Sequence, residues 1–174
     1  TYLDLQLRNV SYDFLGIDNA GNTVDQSASL SFFNPKVGIQ YLAQNGSRSY
    51  ASFAVAQREP NRNDYVGSTP DNRPSPEKLY NLEAGWEQQW KKSAVQANIY
   101  YMYYRDQLVL NGQINDVGEL LRTNVDESYR LGLELVAGTQ ITDGLSIQGN
   151  ATVSRNRVLA FTEYLDDYDA DFNW

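Results

Sequence analysis

The feature that most constrains this chain is a strict alternation of apolar and polar residues along much of its length. Between Tyr80 and Trp86, apolar side chains at even positions alternate with asparagine, glutamate and glycine at odd positions. A period of two residues places successive side chains on opposite faces of a β-strand. The pattern therefore predicts an all-β fold in which each strand has one apolar face and one polar face.

Seven segments carry this pattern, and turn residues separate them. They span residues 2–15, 28–43, 49–58, 78–90, 93–105, 124–138 and 145–156. In the first segment, the apolar residues change from odd positions, ending at Leu7, to even positions, starting at Val10. Such a change of parity predicts a β-bulge. Helical periodicity is weak throughout, and only residues 116–122 could form one helical turn.

The connections between these segments alternate between short and long. The short ones are residues 44–48, 91–92 and 139–144, and the long ones are 16–27, 59–77 and 106–123. This order predicts an antiparallel up-and-down meander that forms part of a transmembrane β-barrel, with tight turns at one end and long loops at the other. The alternative is a soluble β-sandwich that binds a ligand such as carbohydrate.

Aromatic residues mark both ends of the apolar faces. Trp86 and Trp90 approach a short turn, whereas Tyr101 and Tyr103 approach a long loop. Barrels in membranes carry such aromatic girdles at both interfaces. The segments also exceed the usual strand length of about 5–6 residues in soluble proteins and suit a tilted crossing of a bilayer. In a soluble protein, the same tyrosines would pack around the edge of a core.

The composition argues against several other classes of protein. The chain has Cys 0 and His 0, so it lacks thiolate ligands and the side chain that most often acts as general base and zinc ligand. Its formal net charge of -8 argues against a nucleic-acid partner. No apolar run is long enough for a transmembrane helix, although barrel strands leave little trace in average hydropathy. An enzyme is the least favoured class, and no cofactor is predicted.

Four stretches resemble, in the same order, the β-barrel of Bacteroidetes-type TonB-dependent outer-membrane receptors. They are FFNPKVGIQY (32–41), YASFAVAQREPNRNDYV (50–66), PSPEKLYNLEAGWE (74–87) and the long stretch 99–138. The resemblance implies a barrel of 22 strands with an N-terminal plug, located in the bacterial outer membrane against lipid and lipopolysaccharide. Such transporters import ferric siderophores, haem, cobalamin or oligosaccharides with energy relayed by TonB.

The chain lacks several parts of that whole protein. It begins at Thr1 without a visible signal peptide, so we expect a piece of a longer protein. Residues 1–174 would form one partial barrel domain without plug, TonB box or barrel-closing strand. The contact with TonB would then lie in segments outside these residues.

Polar residues in the long loops and at the loop-side strand ends are the candidate ligand contacts. Arginine attracts anionic cargo such as a ferric siderophore through charge-assisted hydrogen bonds. The candidates are Arg58, Arg62, Asn63, Tyr65, Arg73, Arg105 and Arg122. The alternative is surface charge that balances lipopolysaccharide.

An acidic cluster near the end of the chain offers hard oxygen ligands. Asp167, Asp169 and Asp171 stand at alternate positions, as in a calcium-binding loop. Phe172, however, occupies the position where an EF-hand requires glycine. A solvated loop without metal is the favoured interpretation.

Three glutamates, Glu83, Glu87 and Glu134, are expected on the polar face of the sheet. Glu83 and Glu87 lie four residues apart on one strand, or roughly 13 Å. That separation exceeds even the spacing of about 6.5–9.5 Å in an inverting glycosidase. We therefore expect these carboxylates to pair with Arg105 or Arg130 on neighbouring strands.

The dipeptide Asn111–Gly112 lies between strand-like residues within the third long loop. Asn-Gly is the strongest short signal for a β-hairpin turn. We expect this loop to fold back as a small hairpin around Asn111 and Gly112.

Overall fold

The computed structural model describes residues 1–17, 23–61, 64–65, 73–114 and 120–161. These residues form one antiparallel sheet of seven strands, each hydrogen-bonded to the next in chain order. The strands are β1 (Tyr2–Ile17), β2 (Thr23–Leu42), β3 (Arg48–Arg58), β4 (Glu77–Gln89), β5 (Ser93–Ile114), β6 (Leu120–Thr142) and β7 (Leu145–Val158). The predicted meander is confirmed.

Tight turns join the strands at one end of the sheet, as the sequence predicted. In the turn after β2, Gly46 adopts a φ of 81°, a left-handed conformation that favours glycine. The side-chain oxygen of Asn45 accepts the backbone N–H of Ser47 at 3.0 Å, which closes the turn locally. At the other end, residues 59–76 form a long connection. Two others are shorter than expected, because β2, β5 and β6 extend further toward the loop side.

The bulge predicted in β1 is wrong. The register between β1 and β2 runs without interruption from Tyr2 opposite Gly38 to Ile17 opposite Thr23. The parity of the apolar residues changes because the apolar side of the sheet changes. Leu7 projects to one face and is 81% exposed, whereas Phe14 projects to the opposite face and packs against other rings.

The loop-side hairpin exists, but its turn is not centred on Asn111–Gly112. β5 and β6 still pair at Leu110 opposite Arg122 and again at Ile114 opposite Leu120, with a register shift between them. Gly112, with a φ of 85°, lies in this irregularity. The Asn-Gly signal therefore marks a bulge instead of the hairpin tip. Of residues 116–122, which could have formed one helical turn, residues 120–122 belong to β6 and residues 116–119 lie outside the described residues.

The two faces of the sheet differ in composition. We call the face of Leu131, Leu133 and Leu135 the outer face and the face of Gly132 and Glu134 the inner face. The three leucines remain 41%, 43% and 44% exposed. The described strands form one sheet instead of two packed ones, so a β-sandwich is not the fold. Among the described residues, no helix is long or apolar enough to cross a membrane.

Candidate functional site

The outer face carries a continuous apolar band. Register partners on neighbouring strands place Leu82, Tyr101 and Leu131 in one row across β4, β5 and β6. The exposed apolar side chains of the band include Leu3, Leu5, Leu7, Phe33, Val37, Ile39, Phe53, Leu82, Ile99, Leu133, Leu135, Ile147 and Val153. Water would wet these side chains in a soluble sheet, which is costly for so large a contiguous surface. The band therefore requires an apolar partner.

Aromatic residues border the band at both ends, as predicted. Tyr80, Tyr103 and Tyr129 form a row at the loop side, and Trp90 lies near the short turns. Ten positions separate Tyr80 from Trp90, or about 33 Å at about 3.3 Å per residue. At a strand tilt of about 40°, this length corresponds to about 25 Å of height, the thickness of the apolar band of a barrel.

The loop-side boundary of the band also reports the tilt of the strands. Successive register partners connect Leu3 on β1 with Arg155 on β7. They are Val37, Phe53 and the row that begins at Leu82, so all of these residues lie at the same level of the sheet. On β1 the band extends four residues beyond Leu3 toward the loop side, to Leu7. On β7 it ends at Val153, which lies two residues from Arg155 toward the short turns. This offset of six residues, about 20 Å, accumulates over six strand spacings of about 4.8 Å. The resulting angle of about 35° lies within the tilt of barrel strands.

The inner face is polar and contains three pairs of tyrosine and glycine. The rings of Tyr2, Tyr50 and Tyr100 cover Gly38, Gly85 and Gly132 on the next strand, and a Cβ at any of these glycines would overlap the ring. Each tyrosine is the register partner of its glycine. The absent side chains thus let the rings lie flat against the sheet.

One of these tyrosines starts a hydrogen-bond chain across the inner face. The hydroxyl of Tyr50 donates to Asn98 Oδ1 at 2.8 Å, two strands away. Asn98 Nδ2 in turn donates to Glu134 Oε2 at 3.3 Å. The chain connects β3, β5 and β6 over Gly85, so it depends on the close approach that this glycine permits.

The glutamates of the inner face do not have the partners expected from the sequence. Glu87 pairs with Arg48 across β3 and β4, and Asn81 donates to Glu83 at 2.7 Å. Arg130 instead lies over the ring of Tyr104, 5.2 Å from its centroid. Arg105 belongs to the outer face, in register with Lys78 and next to Tyr103 along β5. The carboxylates thus serve as paired elements of a polar wall.

Beyond the band, on the loop side, lies a part of the sheet that we call the rim. Here the inner face carries a cluster of aromatic rings. Tyr65, from the connection between β3 and β4, is only 3% exposed and packs on Tyr12 and Phe14 of β1, with ring centroids 6.2 and 5.5 Å away. Burial raises the pKa of the Tyr65 hydroxyl.

Arg8 and Glu59 form a charged contact beside this aromatic cluster. Arg8 Nη1 donates to Glu59 Oε1 at 3.2 Å, and the Tyr12 hydroxyl donates to the same oxygen at 3.3 Å. Partial burial acts to raise the pKa of Glu59. The hydrogen bonds from its own backbone, Arg8 and Tyr12, together with the charge of Arg8, outweigh that effect and lower the pKa.

The connection of residues 59–76 is tied to distant strands of the rim. Arg122 Nη1 lies 3.3 Å from Asp64 Oδ1, and Arg73 donates to the carbonyl of Ser27 at 2.7 Å. The side chain of Asn124 forms two hydrogen bonds with the backbone of Ser75. Its Oδ1 accepts the N–H of Ser75 at 2.8 Å, and its Nδ2 donates to the carbonyl of Ser75 at 3.0 Å. The connection thus spans from β2 to β6.

The predicted ligand contacts therefore occupy different environments. Arg58 pairs with Glu77 at 3.2 Å and keeps 58% of its side chain exposed. Arg122 is also exposed, whereas Tyr65 is buried and Arg105 projects from the outer face. Arg62, Asn63 and the acidic residues Asp167, Asp169 and Asp171 lie outside the described residues. No group of three or more acidic side chains in the described ranges could hold a metal ion.

Sequence reasoning missed the residues that organise the rim. Arg8, Glu59 and Asn124 lie far apart in the sequence, and their contacts depend on where the long connection crosses the sheet. The one available signal was the change of parity in β1, which marks where the inner face becomes apolar.

A family model described as TonB dependent receptor-like, beta-barrel, matches residues 2–173. The chain belongs to this receptor family. No curated protein matches it by sequence. The family assignment agrees with the apolar band, the aromatic girdles and the strand tilt.

Two solved transporter structures have a similar fold. The copper transporter OprC is 19% identical, with a TM-score of 0.75 over 88% of this chain and 26% of OprC. The FrpB iron transporter from Neisseria meningitidis (F3-3 variant) is 23% identical, with a TM-score of 0.64 over 89% of this chain and 23% of FrpB. The chain thus spans about a quarter of the length of these structures.

Proposed function

We propose that the chain forms part of the barrel wall of a TonB-dependent transporter that imports a scarce, bulky ligand across the bacterial outer membrane. The observation that carries this proposal is the family match over residues 2–173 on a sheet with an apolar outer band and a polar inner face. The outer band contacts lipid, and the inner face lines the interior of the barrel. The chain contributes no catalytic step.

The charges at the rim support an anionic ligand as the cargo. The two similar structures are a copper transporter and an iron transporter, and this chain places exposed Arg58 and Arg122 at the loop side. Guanidinium groups favour an anionic cargo, such as a ferric siderophore, over neutral oligosaccharides. Arg62 and Asn63 of the same connection, together with Arg73, complete the proposed contact set. TonB is the partner of the whole protein through segments outside this chain.

Uptake by cells that carry the whole protein tests this function. Deleting its gene should abolish uptake of one labelled ferric siderophore from a panel that also includes haem, cobalamin and oligosaccharides. Arg58→Gln with Arg122→Gln should lower binding of that siderophore about tenfold or more, because two charge-assisted contacts are lost. Lys91→Gln with Lys92→Gln, at the short-turn end, is the matched control. Unchanged uptake of every compound after deletion would refute the proposal.

A further inference from the structure

Asp64 and Tyr65 are adjacent residues of the connection between β3 and β4, and they contact opposite sides of the rim. The ring of Tyr65 packs on Tyr12 and Phe14 of β1. The carboxylate of Asp64 pairs with Arg122 of β6. Five strand spacings, about 24 Å along the sheet, separate these two strands. The two residues therefore cross the inner face between β1 and β6, and the packing of the ring fixes where the neighbouring carboxylate lies.

The carboxylate of Asp64 is buried and is held by a second hydrogen bond. The side chain of Asp64 is 4% exposed, whereas that of Arg122 is 36% exposed. Asp64 Oδ2 accepts the backbone N–H of Asn61 at 2.8 Å, and Asn61 Oδ1 accepts the backbone N–H of Asp64 at 3.0 Å. Arg122 Nη1 donates to the other oxygen, Oδ1, at 3.3 Å. The carboxylate is thus fixed in place before any ligand arrives.

Arg122 is the exposed partner of this pair and belongs to the proposed contact set. A guanidinium binds a carboxylate or a similar anion through hydrogen bonds from a planar fork. An anionic cargo and Asp64 therefore present the same kind of oxygen to Arg122. The guanidinium carries one positive charge, which Asp64 already neutralises. A cargo anion gains the full attraction of Arg122 only when it replaces this carboxylate.

The second exposed arginine of the contact set has the same arrangement. Arg58 pairs with Glu77, and the two side chains are 58% and 14% exposed. Glu77 Oε2 also accepts the backbone N–H of Leu108 at 3.1 Å. Each of the two exposed contact arginines is therefore already paired with a more buried carboxylate of the chain itself.

We propose that Asp64 is a specificity-determining residue of the transporter, because its carboxylate occupies Arg122 until an anionic cargo replaces it. A neutral ligand does not replace a carboxylate at a guanidinium, so it gains no contact with this charge. The internal carboxylate lowers the affinity for every anion and thereby sets the strength that a cargo anion must exceed. After the exchange, Asp64 keeps its hydrogen bond from Asn61. This inference rests on the proposed function and adds how its site selects cargo.

Binding of ferric tris-catecholate, an anionic ferric siderophore centre, to the whole protein in a non-ionic detergent tests this role. Asp64→Asn keeps an acceptor for the N–H of Asn61 but removes the charge that holds Arg122. It should raise the affinity about two- to fivefold, which corresponds to the strength of a partly exposed ion pair. Arg122→Gln should lower the affinity. Adding Asp64→Asn to Arg122→Gln should have no further effect, because no guanidinium is left to release.

Two further variants separate this role from folding and from the general field of the rim. Asp64→Glu keeps the carboxylate and should bind ferric tris-catecholate as the wild type does. Glu59→Gln removes an equal charge from the same rim, but Glu59 pairs with Arg8, so the affinity should stay unchanged. Inhibition by excess ferric tris-hydroxamate, which is neutral, should be the same in the wild type and in Asp64→Asn.

The other outcomes overturn the inference. A lower affinity in Asp64→Asn would show that the carboxylate holds Arg122 ready for cargo, and an unchanged affinity would show that the pair does not limit binding. An equal gain in Glu59→Gln, or a gain that persists with Arg122→Gln, would show a general charge effect. Absence of ferric tris-catecholate binding to the wild type would also overturn it. Uptake of another compound of the panel would then leave the proposed function intact, whereas unchanged uptake of every compound after gene deletion would refute both.

Discussion

The band and the rim of the sheet have opposite polarity. In the band, apolar side chains such as Leu133 project outward and remain exposed, while the inner face holds glutamates, glycines and amides. At the rim, charged residues such as Lys78 project outward, while aromatic rings fill the inner face. Phe32 and Phe33 show the change within two consecutive residues, since the first is 3% and the second 50% exposed.

The proposed membrane placement explains this difference, because the two parts of the sheet would then have different surroundings. In the proposed membrane placement, the outer face of the band contacts lipid, so its inner face can remain wet. The rim extends beyond the lipid, where an apolar outer face has no partner. Tyr12 and Phe14 of the rim turn inward, and Tyr65 of the long connection packs on their rings. In β1, the apolar residues therefore change from odd to even positions although the strand has no bulge.

The largest expected effect comes from the buried ring of the rim. Phe32→Ala should lower the free energy of unfolding by about 3–5 kcal/mol, because it leaves a cavity beneath Arg8, whose guanidinium lies 4.8 Å from the ring centroid. Urea unfolding of the whole protein in lipid vesicles measures this loss. Phe33→Ala, one residue away on the outer face, should cost less than about half as much. Equal losses would mean that the two faces do not differ as described.

A charge within the band should have the next largest effect. Leu133→Arg should destabilise the protein in vesicles by about 2–4 kcal/mol, because it places a guanidinium near the middle of the lipid. Leu7→Arg, at the loop-side boundary of the band, should cost only about 0–1 kcal/mol. If both substitutions were harmless, the outer face would be in water and the membrane placement would be wrong.

The tyrosine–glycine pairs of the inner face should give an intermediate effect. Gly85→Ala should cost about 1–3 kcal/mol, because the added methyl group displaces the Tyr50 ring and breaks its hydrogen bond to Asn98. Gly149→Ala, where nothing lies within 4 Å of the added carbon, is the matched control. A larger loss at Gly149 than at Gly85 would contradict the close packing of the ring.

Much of the sheet could be predicted from local pattern alone. Alternation identified all seven strands, since residues such as Leu131 and Leu133 repeat with the period of a strand, and Trp90 and Tyr103 marked the two borders of the band. Each of these signals is contained within one segment. The short turns after β2, β4 and β6 then fix the register of the strand pairs that they join, because they leave those strands little freedom to slide.

The rim could not be predicted in the same way, because its contacts join distant segments. Arg8 meets Glu59 across 51 positions, and Asn124 meets Ser75 across 49. The parity change at Val10 was visible but ambiguous, since a bulge and a change of apolar face produce the same pattern. The face of Arg105, by contrast, could be predicted, because Arg105 lies two residues after Tyr103 on β5 and so shares its face.

The smallest expected effect concerns the charged contact of the rim and its dependence on pH. The pKa of Glu59 is lowered from its ordinary value of 4.5, so the folded protein favours the ionised carboxylate more than the unfolded chain does. Its contribution is fully present at neutral pH and is lost as the pH falls below that value. Because Arg8 and Glu59 are partly exposed, Glu59→Gln should cost only about 1 kcal/mol at neutral pH. The difference from wild type should shrink steadily as the pH is lowered below 4.5. Asp4→Asn, which breaks no ion pair among the described residues, is the control and should cost little at neutral pH. A difference that grew on acidification would show that Glu59 is not held as a carboxylate by Arg8, and the charged part of the rim would then have to be reassigned.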